Sequence, residues 1–330
     1  MRPSVYRAAT AVIALLCAPA LCAAFDAQAF PTEAPVPGAP PVSGDPPATP
    51  PSGTGPLSDN TAVPEPDDRN LRWKNAAVIG GIALAVGAYG ATNWWNEDMT
   101  SSPGSRHEGW FGQGTYAGGT DKLGHAFTTY SGTRLLARAF EGLGNNPAHS
   151  LHLAAWTSFG ILTAVEIADS FSTKWRFSYE DVVFNAVGVA LALLQEKYPS
   201  FDALLDFRLL YRQSDDAKHL GKSNVIVDYS GQTYLLAFKA DGVPRLRDVP
   251  LVRYMEILVG YNTRGYEPND GTMNDPQRRI YYGVGINLSR LLSDTVFRGD
   301  LKGGKIQRGT DTVLEFLEVP GTAALTYCRL

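Results

Sequence analysis

S-Y-E-D-V-V-F-N-A-V-G-V-A-L-A-L-L-Q-E-K-Y-P, residues 178–199, carries the decision between a helical and a strand reading. Ser178 and Asp181 fit a capping box that opens a helix, and Tyr179 to about Tyr198 is apolar around most of its circumference. Three residues break that pattern at helical spacing: Asp181, Asn185 and Gly188 fall on one face. Pro199 ends the segment, and beyond it the apolar residues recur every second position, the period of a strand.

Toward the N-terminus the helical pattern repeats three times. Ala76 to Ala91 is apolar and holds Gly80, Gly81, Gly87 and Gly90; a second helix is expected from near Asp121 to about Phe140, with Arg134 and Arg138 toward its negative end; a third from Leu151 to about Ser170. Their charge-free stretches are short against the roughly 20 residues a spanning helix needs, so they suit a core bundle or marginal spans that turn polar faces toward one another. The sequence expects one small bundle of about four apolar helices over residues 71–210.

Residues 30–70 read as a Pro-rich tether. Twelve of the 22 prolines lie between Pro31 and Pro66, with hardly a large apolar residue to offset the entropy of ordering them. Before the tether, Arg2 and Arg7 precede an apolar run from Ala8 to Leu21, and Ala27-Gln28-Ala29 completes a secretory signal peptide over residues 1–29. Leu15-Leu16 and Ala20-Leu21 lack the small residue expected before a lipidated Cys17 or Cys22. Cleavage after Ala29 would leave Cys328 as the single cysteine, so no intramolecular disulfide is expected.

Residues 211–330 read as strand-rich and antiparallel. Val225 to Tyr229 and Gln232 to Lys239 flank Ser230-Gly231 as a hairpin, and Arg253 to Tyr261, Arg279 to Leu288 and Thr312 to Val319 supply further strands. In Arg279 to Leu288 one face collects Ile280, Tyr282, Val284, Ile286 and Leu288, compatible with packing on the bundle or with lipid. Helices followed by strands make the fold class α+β.

Over 330 residues, charged side chains are 19 % of the chain and AVILMFWYC residues 44 %, a balance that leans to an envelope setting. A net charge of −4 offers no basic footprint for nucleic acid. Trp94, Trp95, Trp110 and Phe111 after the first helix add to the expectation of a membrane or envelope-lipid partner. Exposed sheet edges could take a protein partner.

The polar residues inside the apolar helices are the candidate site. Asp121 and His125 share a helix face one turn apart; Glu166 and Asp169 stand three apart at the end of the third helix; Asp181 and Asn185 open the fourth. Charges and amides in such segments need partners, metal or water. The glycines before Asp121 miss the dinucleotide spacing, and Thr120 is expected as N-cap. His149 and His152 form an H-x-x-H that reads as surface histidines in a loop.

These residues resemble two related groups, the VanZ-like membrane proteins and the YfiM-type predicted periplasmic lipoproteins. The resemblance rests on D-K-x-x-H at Asp121, Lys122 and His125, the late Glu166, and S-x-x-D-x-x-x-N-x-x-G at Ser178, Asp181, Asn185 and Gly188. The chain departs from it at Asp169, commonly Gln, and at Ala192, commonly Gly. It implies a periplasmic or outer-membrane location in a Gram-negative-type envelope and a bundle with polar residues at its centre, and supplies no reaction or cofactor. Three functions stay open. Asp121, Lys122, His125, Glu166, Asp181 and Asn185 could form a buried network for a structural or assembly role; His125 and Glu166 could be acid and base on a lipid or cell-wall precursor; or His125, Glu166, Asp169 and Asp181 could hold a metal.

Overall fold

The computed structural model describes residues 68–95, 98–219, 224–266 and 273–330. The signal peptide, and the tether up to residue 67, lie outside the described residues. Helix α1, Asp68–Asn93, already occupies the last positions assigned to the tether. Helices α2 (Thr120–Gly142), α3 (Pro147–Asp169) and α4 (Tyr179–Lys197) follow, so the four expected helices are present.

Local chemistry sets their ends. Asn146 accepts the His149 N–H at 2.8 Å with Pro147 in the first turn, so α3 starts four residues earlier than expected and carries exposed His149 and His152 on its first turns rather than in a loop. Ser178 caps α4 through the Asp181 N–H at 3.3 Å. The N-cap of α2 is Gly119, whose φ of 88° suits glycine; Thr120 stands one position inside, its hydroxyl 2.7 Å from that of Thr263. Arg134, expected to answer the helix dipole, is instead buried among Glu315 at 2.9 Å, Glu196 at 3.1 Å and Asp202 at 2.5 Å.

A short helix α5 (Pro199–Leu204) turns the chain into an antiparallel sheet of β1 (Leu205–Tyr211), β2 (Gln232–Lys239), β3 (Met255–Tyr266), β4 (Met273–Ile286) and β5 (Ala323–Arg329), in that order. Between β4 and β5 lie α6 (Leu288–Thr295) and α7 (Lys305–Phe316). The fold is α+β, helices first and sheet last. Thr312–Val319 is mostly helix, because Glu315 pairs with Arg138 at 2.6 Å and Arg134 and holds the segment against α2. Only its end is extended: Leu317 bridges β1 in parallel, and the Glu318 N–H reaches the Leu209 carbonyl at 3.1 Å. Val225 to Tyr229 forms turns rather than a strand, since Asn224 and Asp228 side chains take the backbone N–H groups of Ile226, Ser214 and Gly231.

Phe207 and Tyr234 on one sheet face pack with Ala126, Tyr130 and Ala192 of α2 and α4, forming the main core. The same face continues through Ile257, Val259, Tyr282, Val284 and Ile286, where it is exposed. The outer surfaces of α1 and α3 are exposed as well: Trp73 is 70 % and Trp156 73 % accessible. Both helices are long and apolar enough to cross a membrane by length and composition.

Candidate functional site

Two helix faces meet at the site. Asp121 and His125 of α2 lie one turn apart, as do Asp181 and Asn185 of α4, and the helices approach closely because position 188 is glycine. A Cβ there would collide with the Ala126 carbonyl and the Thr129 hydroxyl. Thr129 Oγ1 donates to the Asn185 carbonyl at 2.9 Å across the same contact.

His125 is held from both sides. Its Nδ1 lies 3.0 Å from Asn185 Oδ1, an acceptor, so the ring carries a proton there; Nε2 lies 3.4 Å from Glu166 Oε1. The other Glu166 oxygen accepts the Ser178 N–H at 3.2 Å, tying the end of α3 to the start of α4. Lys122 is fully buried, 2.5 Å from Glu108, 3.1 Å from Asp181 and 3.8 Å from Asp121. Asp169 Oδ1 accepts the Trp95 indole N–H at 2.6 Å. Trp95 is half-buried, with its indole N–H bonded within the protein.

Beside these groups lies a cavity of about 450 Å³. Glu108, Asp121, His125, Glu166, Asp169 and Asp181 give it an acidic wall. Ile82, Ala85, Val86, Leu162 and Val165 from α1 and α3, with the turn residues Val225 to Val227, give it an apolar one. Tyr89, Trp94, Tyr116, Trp175 and Tyr229 complete the enclosure.

Burial governs the proton equilibria. Desolvation pushes Glu166 up to about 9, against the lowering effect of His125. Glu108 is pushed to about 8 and Asp169 to about 7, again chiefly by burial. Asp121 is raised by burial and by Asp181. His125 moves the other way from an ordinary buried imidazole: burial lowers it, but Asp181, Glu166 and Asp121 together lift it to about 9. Asp181 is lowered, because His125 and Lys122 outweigh its own desolvation. At neutral pH the cluster therefore offers protonated carboxyls and an imidazolium as proton donors, beside carboxylates that attract cations.

All six predicted site residues come together. Of the metal candidates, His125 and Asp181 have donor atoms within 4.8 Å of one another together with Asp121, while Glu166 Oε2 accepts the Ser178 N–H and Asp169 Oδ1 the Trp95 indole N–H. Glu108 was not predicted. It sits in a loop with no helical or strand period, and the single clue is that buried Lys122 needs more carboxylate than its own helix supplies. Tyr116 and Tyr229, both beside Asp121 and held protonated by burial, are likewise brought in from loops.

Residues 107–197 match the model of a family described as predicted periplasmic lipoprotein (DUF2279). That span includes every predicted site residue together with Glu108. No curated protein and no solved structure matches the chain. The description fits an exported, envelope-associated protein. Its word "lipoprotein" runs against the cleavage expected after Ala29, which would discard Cys17 and Cys22; both cysteines lie outside the described residues.

Proposed function

We propose that this envelope protein rests on a membrane and receives a single-chain or headgroup-bearing amphiphile in its cavity, with the polar end at the Asp121–His125–Glu166–Asp181 cluster. One observation carries the reading: a cavity of about 450 Å³ has an acidic wall on α2, α3 and α4 and an apolar wall on α1 and α3. A purely scaffolding network would fill its own space, since interiors pack to crystal-like density. An apolar wall facing a charged one matches a molecule with both kinds of surface.

The membrane part draws on exposed apolar surface. Trp73, Leu84 and Trp156, between 70 % and 76 % accessible, project from α1 and α3, the two helices that also wall the cavity. An amphiphile could then pass between bilayer and cavity along those helices. Alkaline carbonate extraction should leave the protein with the membranes; release into the soluble fraction would contradict this part.

An enzymatic use of the same cavity draws on His125 and Glu166, 3.4 Å apart and both lining it, as a proton-transfer pair. Binding is the more basic claim and is tested first. A bromine-tipped long-chain alcohol should quench the fluorescence of Trp94 and Trp175 saturably, and Ala85→Phe, which fills the apolar wall, should abolish the effect. Quenching that is linear and unaffected by Ala85→Phe would mean that the chain does not enter.

A further inference from the structure

A second cavity, of about 490 Å³, opens at the end of the sheet where β1 and β3 finish and β4 begins. Arg212, Arg264 and Arg279 line it, together with Lys218 of the short helix Asp215–His219. We infer that this pocket binds a phosphate-bearing molecule through its arginines. It shares no lining residue with the bundle cavity, so the inference stands apart from the amphiphile reading.

The period of the strands aims the three arginines at one space. Arg208 and Glu256 meet on one face of the sheet. Arg212 stands four residues after Arg208 and Arg264 eight after Glu256, so both belong to that face. Arg212 prolongs the β1–β2 ladder, its N–H donating to the Gly231 carbonyl at 2.9 Å. Arg279 pairs in register with Asn262, two residues before Arg264, and joins the same face.

Along this face the arginines differ in what meets them. Arg208 is surrounded by Asp206, Glu256 and Glu318. Among the described residues no carboxylate pairs with Arg212, Arg264 or Arg279. Of the two carboxylates that line the pocket, Asp215 pairs with Lys218 at 2.7 Å, and Asp275 accepts from the Gln277 amide at 3.2 Å. Four cationic side chains thus face two acidic ones.

A second observation is independent of that balance. Arg279 stands directly opposite Arg329 of β5, and like charges so placed repel. The Arg279 guanidinium lies 4.5 Å from the Tyr327 ring centroid and donates through Nη2 to Gln277 at 2.8 Å, but its buried Nε donates to nothing. An anion in the pocket would relieve the repulsion and give that donor a partner.

The chemistry of arginine selects the anion. A planar guanidinium takes phosphate oxygens in pairs, and a tetrahedral phosphate has oxygens for more than one guanidinium, whereas a carboxylate is saturated by a single one. Arg264 and Arg279 are half-buried, which reduces the water that competes for those bonds. A pocket of this volume suits one head group or small molecule rather than a length of polymer.

The probe is inorganic pyrophosphate, titrated calorimetrically into the full chain at pH 7. Saturable binding is expected, weakened about tenfold or more by Arg212→Gln combined with Arg264→Gln. Arg212→Gln alone, at an exposed position beyond β1, should weaken binding in the same direction and keeps the test decisive if the double variant fails to fold. Pyrophosphate should also raise the unfolding temperature of wild type and leave that of a folded variant almost unmoved. Absence of binding, binding unchanged by these substitutions, or acetate bound as tightly as pyrophosphate would overturn the inference. Phosphatidylcholine vesicles with and without phosphatidic acid separate the sources of the phosphate. Additional capture by phosphatidic acid that pyrophosphate competes away assigns it to a lipid, and pyrophosphate binding without such capture assigns it to a soluble molecule.

Discussion

Among the described residues, two of the buried ionic clusters are built differently. Inside the sheet, Arg208 donates to Asp206 at 2.6 Å, Glu256 at 2.8 Å and Glu318 at 3.0 Å, and Lys239 closes on Asp206 at 2.5 Å. Every carboxylate there touches a cation. In the helical bundle, Lys122 answers Glu108 at 2.5 Å and Asp181 at 3.1 Å, but Asp121 is 3.8 Å from that lysine nitrogen, Glu166 is 3.4 Å from an imidazole, and Asp169 is held by an indole. The first cluster joins β1, β3 and the Leu317–Val319 segment; the second faces a cavity. What separates the brace from the cavity wall is that every carboxylate of the first has an arginine or lysine partner, whereas in the second Glu166 meets an imidazole and Asp169 an indole.

The sharpest way to break this contrast is to remove the cation from the sheet cluster. Arg208→Met leaves three buried carboxylates around an apolar side chain and should cost about 3–5 kcal/mol, read from urea unfolding. A loss near zero would mean that the sheet network is no more structural than the bundle's. Lys239 does not take over, since it pairs with Asp206 and with neither glutamate.

How far the sequence already disclosed each cluster follows the same division. Asp121, His125, Asp181 and Asn185 were readable because helical spacing puts residues four apart on one face, and apolar surroundings made them conspicuous. The fourth helix was readable almost to its last residue from Ser178 and Pro199. Arg208 and its partners were not. β1 was absorbed into the bundle, although Leu205, Phe207, Leu209 and Tyr211 alternate with Asp206 and Arg208 as a strand should, and β5 went unseen in a stretch without strong alternation. Thr312–Val319 looked like a strand because the pull of Glu315 toward Arg134 and Arg138 is a tertiary effect. Val225 to Tyr229 was misjudged for a similar reason: side-chain caps from Asn224 and Asp228 override its β propensity. The cavity itself has no sequence signature, since its walls come from helices and loops far apart in the chain.

The central claim is that the bundle's acidic wall serves a ligand and is not needed to hold the fold. Raised carboxyl pKa values fix the sign of the test. Glu166 titrates near 9 and Asp169 near 7 in the folded protein, above their ordinary values of 4.5 and 3.8, so the folded state binds more protons than the unfolded one between those limits. Stability then falls as pH rises through that window. His125, raised from 6.5 to about 9, adds to the trend: its contribution is complete below 6.5 and is lost toward 9. Thermal unfolding of wild type and of the Glu166→Gln, Asp169→Asn double variant, measured from pH 6 to pH 9, is the most direct measurement. Both substitutions keep an oxygen for Ser178 and Trp95, so the predicted result is a shallower pH profile and, near pH 8, a gain of about 1 kcal/mol over wild type. A double variant that unfolds at markedly lower temperature throughout would contradict the account and make the acidic wall a second brace.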